Sequence, residues 1–177
     1  MQSGWNCGGE VSLGQNLSVR GNLTLLRSES IRNHRILVSG NVVSNDTTDS
    51  SSSTIVSLVG TTDQSISGTG ALRNLDISKP SGNVVLPSEF PLSGFEWSGQ
   101  LTGNGTILGT LRLTGCGYVL NFAGTVENLK IDTQPAWNCY GEVSLSQNLS
   151  VTNNLTLQQS GSITNRQILV NGNVVSN

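Results

Sequence analysis

The chain has 177 residues and a formal net charge of -2, and only 11% of its side chains are charged, against roughly a quarter in ordinary soluble domains. With 21 glycines and a surface left to Asn, Ser and Thr, it stays in solution through amides and hydroxyls. It has no basic patch to grip nucleic acid and none of the nucleic-acid motifs. No apolar run approaches the ~18 residues of a membrane span, and Met1 to Cys7 lacks the basic start and apolar stretch of a signal peptide.

Helix formers are sparse, while Gly, Asn, Ser, Thr and β-branched residues fill almost every window, so the chain reads as all-β. From the N-terminal end, Leu13, Val19, Leu25, Ile31, Leu37 and Val43 fall six residues apart. Companions two residues earlier, Val11, Leu17 and Leu23, place two inward side chains on each short strand, followed by a turn containing Asn or Gly. The companions lapse at Glu29, Arg35 and Asn41. In the stretch Arg35–Gly40 either Leu37 or the pair Ile36 and Val38 can face inward.

The polar run from Asn45 to Thr54 cannot be buried and reads as a loop. Beyond it, a second signal appears at three times the first spacing. Leu72, Phe90, Leu108 and Val126 recur at this longer interval, as do Leu75, Ser93, Leu111 and Leu129, and Ile77, Phe95, Leu113 and Ile131. The run Gln134–Cys139 reads as a further loop, because the step from Ile131 to Val143 is five residues longer than the matching step from Ile77 to Val84.

At Trp137 the chain begins to repeat itself. Residues 5–45 and 137–177 align over 41 positions, 30 of them identical, at a constant offset of 132. The expected organisation is one continuous solenoid over 1–177, with a first copy at 5–136 and the start of a second at 137–177. Each coil takes about 18 residues in three short strands and stacks on the next through parallel backbone hydrogen bonds, so that like residues lie over like. The left-handed hexapeptide coil requires a small residue two positions before each aliphatic. Here those positions hold Val11, Leu17 and Leu23, which favours a right-handed parallel β-helix. The first copy begins without an amphipathic cap and the second ends where the first runs on, so a fragment or repeating subunit with open coil edges is expected.

Segments such as NLSVRGNLTL, SGNVVSN and TDQSISGTGALRNLDIS resemble the solenoid repeats of large bacterial surface and secreted proteins, the filamentous-haemagglutinin-like and autotransporter-passenger adhesins. The resemblance covers most of the chain. It implies an extracellular or cell-surface rod that displays or tethers, and it carries over no particular functional residue.

Catalytic constellations are hard to assemble from this sequence. His34 is the single histidine and its counterpart in the second copy is Arg166, which makes it a solvated corner. Asp46, Asp49, Asp63, Asp76 and Asp132 do not share the register of the coils, so no metal site, cofactor or enzymatic activity is expected. Six sequons, at Asn16, Asn22, Asn45, Asn104, Asn148 and Asn154, fit the glycosylation pattern, but Asn-x-Ser/Thr also suits a corner followed by an outward strand position. Trp5, Trp97, Trp137 and Tyr140 are candidates for stacking on sugar rings.

Of the three cysteines, Cys7 and Cys139 are the same position in successive copies. Counting back from Cys139 by one coil and the five-residue insertion leads to Cys116. Coil spacing of about 4.8 Å lies within the Cα separation that a disulfide accepts. A Cys116–Cys139 disulfide is therefore expected, with Cys7 paired only by a preceding repeat or a neighbouring subunit.

The function these features suggest is a structural or adhesive building block that stacks head to tail on copies of itself, with glycans or a surface as further partners. The alternatives from other classes are an ice-binding solenoid and a polysaccharide-acting β-helix enzyme.

Overall fold

A computed structural model describes residues 11–26, 31–45, 53–94, 98–136, 139–158 and 162–176, with backbone alone for Val11, Arg32, 135, 136 and Cys139. The described residues are strand, isolated bridge, bend and irregular backbone, with no helix. Apart from one antiparallel pair, Pro135–Ala136 with Cys139–Tyr140, every strand pairing among them is parallel. The architecture is a parallel β-solenoid with three faces, designated A, B and C.

Face A stacks Leu17, Ile36, Val56, Leu75, Leu101, Leu120 and Leu145, one above the other. Face B begins with Leu23, Val42 and Ile66 and continues two residues across the strand as Gln64, Val84, Ile107, Val126, Val151 and Val170. Face C stacks Leu72, Leu92, Leu113, Ile131 and Leu157, with a parallel file of Phe90, Leu111, Leu129, Leu155 and Val174. These files make one apolar column inside the rod, in which Leu58, Ile66, Leu92, Leu101, Ile107 and Val126 are fully buried. No coil could bury these side chains alone. The next coil does it, as the interior of a stack requires.

Two strands, Gly99–Gly115 and Gly117–Thr133, run almost a whole coil each without interruption. The first turns its corners on glycine. Gly103 and Gly109 adopt φ of 96° and 97°, and a Cβ at either would run into a carbonyl of the coil below, that of Ile77 or Leu86. Only glycine combines that dihedral with that approach.

The ladders expected from the sequence hold in part. Leu111 stacks on Leu129 and Leu113 on Ile131, as the expected period requires. The ladder from Leu72 through Phe90 and Leu108 does not form, because Leu72 bridges Leu92, Phe90 pairs with Leu111, and Leu108 pairs with Val85. The coils are longer than three six-residue units because corners absorb residues. Leu17 meets Ile36 in the next coil, one residue beyond the expected period, and Leu75 meets Leu101, eight beyond it. In the first of these coils Asn33 and His34 are both left-handed, at φ 64° and 61°. That corner takes one extra residue and shifts the inward phase, so Ile36 and Val38 are buried and Leu37 is only partly so.

The length of the repeat is not a whole number of coils. The two copies make identical local pairs: Leu17 with Ile36 and Leu149 with Ile168, Leu23 with Val42 and Leu155 with Val174. They do so on different faces. Leu149–Val151, the copy of Leu17–Val19, stands over Val126 on face B, and Leu155, the copy of Leu23, stands over Leu129 on face C. Over the length of one repeat the motif has advanced one face, a third of a turn.

Candidate functional site

Face C is the most elaborated flank of the rod. Its outward files are set by register: Thr110, Asn128 and Asn154 in one, and Pro91, Arg112, Lys130 and Thr156 in the next. Asn154 Nδ2 donates to Asn128 Oδ1 at 3.0 Å, and Asn173 Nδ2 donates to Asn154 Oδ1 at 3.3 Å. This amide ladder climbs three coils. Arg112 pairs closely with Asp132. Glu89, at the near end, sits 3.5 Å from Arg112 and 3.4 Å from Lys130. Between these files lies a groove of about 280 Å³, bounded by Glu89, Asn128, Lys130, Asn154, Thr156 and Gln158.

Face A carries a different polar device. Asp76 stands outward between Ser57 and Thr102, not in line with Arg112 and Lys130, which belong to face C. It is only 5% exposed. Its carboxylate accepts hydrogen bonds from Arg35 Nη1 at 2.7 Å, Ser78 Oγ at 2.6 Å and Thr102 Oγ1 at 2.7 Å. Burial by itself raises the pKa of this acid. The hydroxyls of Ser78, Thr102 and Ser57 and the charge of Arg35 outweigh that and hold it below its ordinary value of 3.8. Because Arg35, Asp76 and Thr102 lie on different coils, the arrangement ties those coils together.

A second anchor is inward. Gln64 is 1% exposed. It donates from Nε2 to the carbonyls of Val38 and Gly40, and accepts at Oε1 from Gly60 N and Lys79 Nζ, both at 2.8 Å. Lys79 Nζ also donates to the carbonyls of Gly60 and Thr62. Partial burial lowers the Lys79 pKa, against the opposing charge of Asp63.

Most of the sequons serve as corner caps. The Oδ1 atoms of Asn16, Asn22, Asn45 and Asn148 accept the backbone N–H of the residue one coil on, respectively Arg35, Asn41, Thr69 and Gln167. Asn154 belongs to the amide ladder, and Asn104 is an exposed corner between two left-handed glycines. His34 is likewise an exposed corner residue.

The loop after Thr133 folds into the antiparallel pair noted above. Its base is closed by Thr133 Oγ1, which donates to the Gly141 carbonyl at 2.6 Å, and Tyr140 projects from it at 85% exposure. Cys116 beneath it is buried and is not a free thiol. Gly117 pairs with Glu142, so this corner absorbs two residues more than the sequence spacing predicts. Cys116 therefore falls level with Gly141, and Cys139 two residues earlier, in the hairpin. The side chain of Cys139 and residues Trp5, Cys7, Trp97 and Trp137 lie outside the described structure.

Among the described residues no group of three or more His, Cys, Asp or Glu could hold a metal. Among the described residues, hydroxyls in register form short ranks such as Thr106, Thr125 and Ser150 on face B. The residues that matter most on face C, Glu89, Lys130 and Gln158, carried no recognisable motif. Their grouping depends on coil lengths that only the stacked structure reveals.

No protein-family model, curated protein or solved structure matches this chain.

Proposed function

We propose that the chain is a structural building block of a long extracellular or cell-surface solenoid, non-catalytic, giving rigid reach and display and joining copies of itself head to tail. The observation that carries this reading is the repetition of pairing. A unit that makes the pairs Leu17–Ile36 and Leu23–Val42 makes them again, residue for residue, in the second copy on a different face. Such a unit can be added to a stack without any new packing solution. The resemblance to bacterial surface solenoids supports the location, and a surface solubilised by amides and hydroxyls supports a display role.

The partner for the coil edge is a further coil. Leu169, Val174 and Val175 are 51%, 59% and 45% exposed on the last described coil. Their counterparts Leu37, Val42 and Val43 lie under the strands Ile55–Leu58 and Gln64–Ser67. Parallel edges of this kind are templates for addition.

Sedimentation velocity and electron microscopy of the purified protein test the stacking. Rods that lengthen with concentration by one chain length per added copy support it, and a monomer at every concentration opposes it. Antibody labelling of intact source cells tests the location. Thermal hysteresis with crystal shaping, or oligosaccharide release from a polysaccharide panel, would replace the structural reading with the ice-binding or the enzymatic one.

A further inference from the structure

The groove on face C is built from both copies of the repeat. Asn128 and Lys130 come from the first, and Asn154, Thr156 and Gln158 from the second. They meet only because the second copy arrives one face later, which sets its Asn-Leu-Thr segment directly over Asn128, Leu129 and Lys130. At one of the positions where the copies differ, the residue lining the groove is Gln158, where the first copy has Leu26. The change replaces an apolar side chain with an amide at the groove wall.

The chemistry of the lining is specific in what it selects against. Lys130 faces Glu89 across 3.4 Å and Arg112 is held by Asp132, so the floor has no surplus charge to attract an acidic polymer. Leu129 is the one apolar residue of the lining and is buried, so there is no hydrophobic pocket to anchor a peptide side chain. What the groove offers is hydrogen-bonding capacity. Thr110, Thr156 and Gln158 have no side-chain hydrogen bond within the described structure, and Lys130 Nζ has a single long one. These groups recur in rows one coil apart, about 4.8 Å along the rod, a step close to the length of one sugar ring in an extended chain.

We propose that this groove binds a neutral glycan chain laid along the rod axis, its hydroxyls exchanging hydrogen bonds with Thr110, Lys130, Thr156 and Gln158. The site lies on the flank, so its occupancy does not depend on the head-to-tail stacking proposed above. In a longer array it would recur once per repeat, each time a third of a turn further round.

The test is titration of the intact, isotope-labelled protein with neutral oligosaccharides of the cello, xylo and malto series, from disaccharide to hexasaccharide, beside polygalacturonate. The expected result is amide shifts confined to the groove, an affinity that rises with chain length up to about three units, one per row, and no dependence on salt. Gln158→Leu, which installs the first copy's residue, and Thr156→Ala should each weaken binding about tenfold at unchanged melting temperature. Tyr140→Ala should leave it unaltered. The proposal is overturned by the absence of groove shifts at millimolar oligosaccharide. It is equally overturned by shifts centred on Tyr140, or by binding of polygalacturonate alone that vanishes with salt.

Discussion

Val42 and Val174 occupy the same position in the two copies of the repeat, yet Val42 is completely buried and Val174 is 59% exposed. The strands around them are alike, and the difference lies above: Val42 is covered by Ile66 of the next coil. Val42→Ala should cost about 1–2.5 kcal/mol in chemical denaturation, the range for removing methyl groups from a packed core. Val174→Ala should stay within about 0.5 kcal/mol in the monomer. If copies stack head to tail, Val174→Ala should become destabilising in the assembled rod, and equal sensitivity of the two sites in the monomer would contradict the packing described here.

Asp76 predicts an acid-dependent stability. Its folded-state pKa lies below 3.8, so the unfolded chain takes up its proton at a higher pH than the folded one. The stabilisation from this group is therefore complete above the unfolded value, and is lost as pH falls through the folded one. Asp76→Asn should lower stability near neutrality by about 2 kcal/mol and flatten the loss of stability between pH 4 and lower values, both read from denaturation at a series of pH values. An unchanged acid limb would mean that the carboxylate is not held as an anion.

Gln64 satisfies four groups drawn from successive coils, and its replacement tests whether this buried amide is structural. Gln64→Leu keeps the volume but strands the Gly40 carbonyl and the Gly60 amide, while the Val38 carbonyl keeps the backbone N–H of Val59. A loss of about 2–4 kcal/mol is expected, with increased hydrogen exchange at Gly60 as the local signature. A neutral outcome would show that water replaces the side chain without penalty.

For the cysteines, we expect Cys116 to be joined to Cys139, pinning the loop that carries Tyr140 to the rod. Thiol counting under denaturing, non-reducing conditions should find one free thiol per chain, Cys7, or none where copies are covalently joined. Peptide mapping should recover the Cys116–Cys139 link. Replacing both by Ser should cost about 3 kcal/mol by the loop-closure argument. Three free thiols would refute the scheme.

The all-β class, the three strands to a coil and the tandem repeat are all present in the order of residues, because alternation along a strand and a polar residue at a corner are local rules. Reading inward positions at Leu23, Leu25, Leu111, Leu113, Leu129 and Ile131 requires nothing beyond that alternation, and the structure places each of them toward the interior. Which residue stacks on which is not local. It depends on how many residues each corner absorbs, and one extra residue at Asn33–His34 is enough to turn Leu37 outward and bring Ile36 and Val38 in. Summed over the six coils from Leu17 to Leu145, those extra residues amount to about one further coil, so the repeat spans six coils and one face and the second copy stands one face on. That rotation sets Thr156 and Gln158 over Lys130, and tertiary stacking likewise puts Arg35 beside Asp76. A coil has no interior of its own, so burial, ion pairing and the groove on face C were all decided by its neighbours.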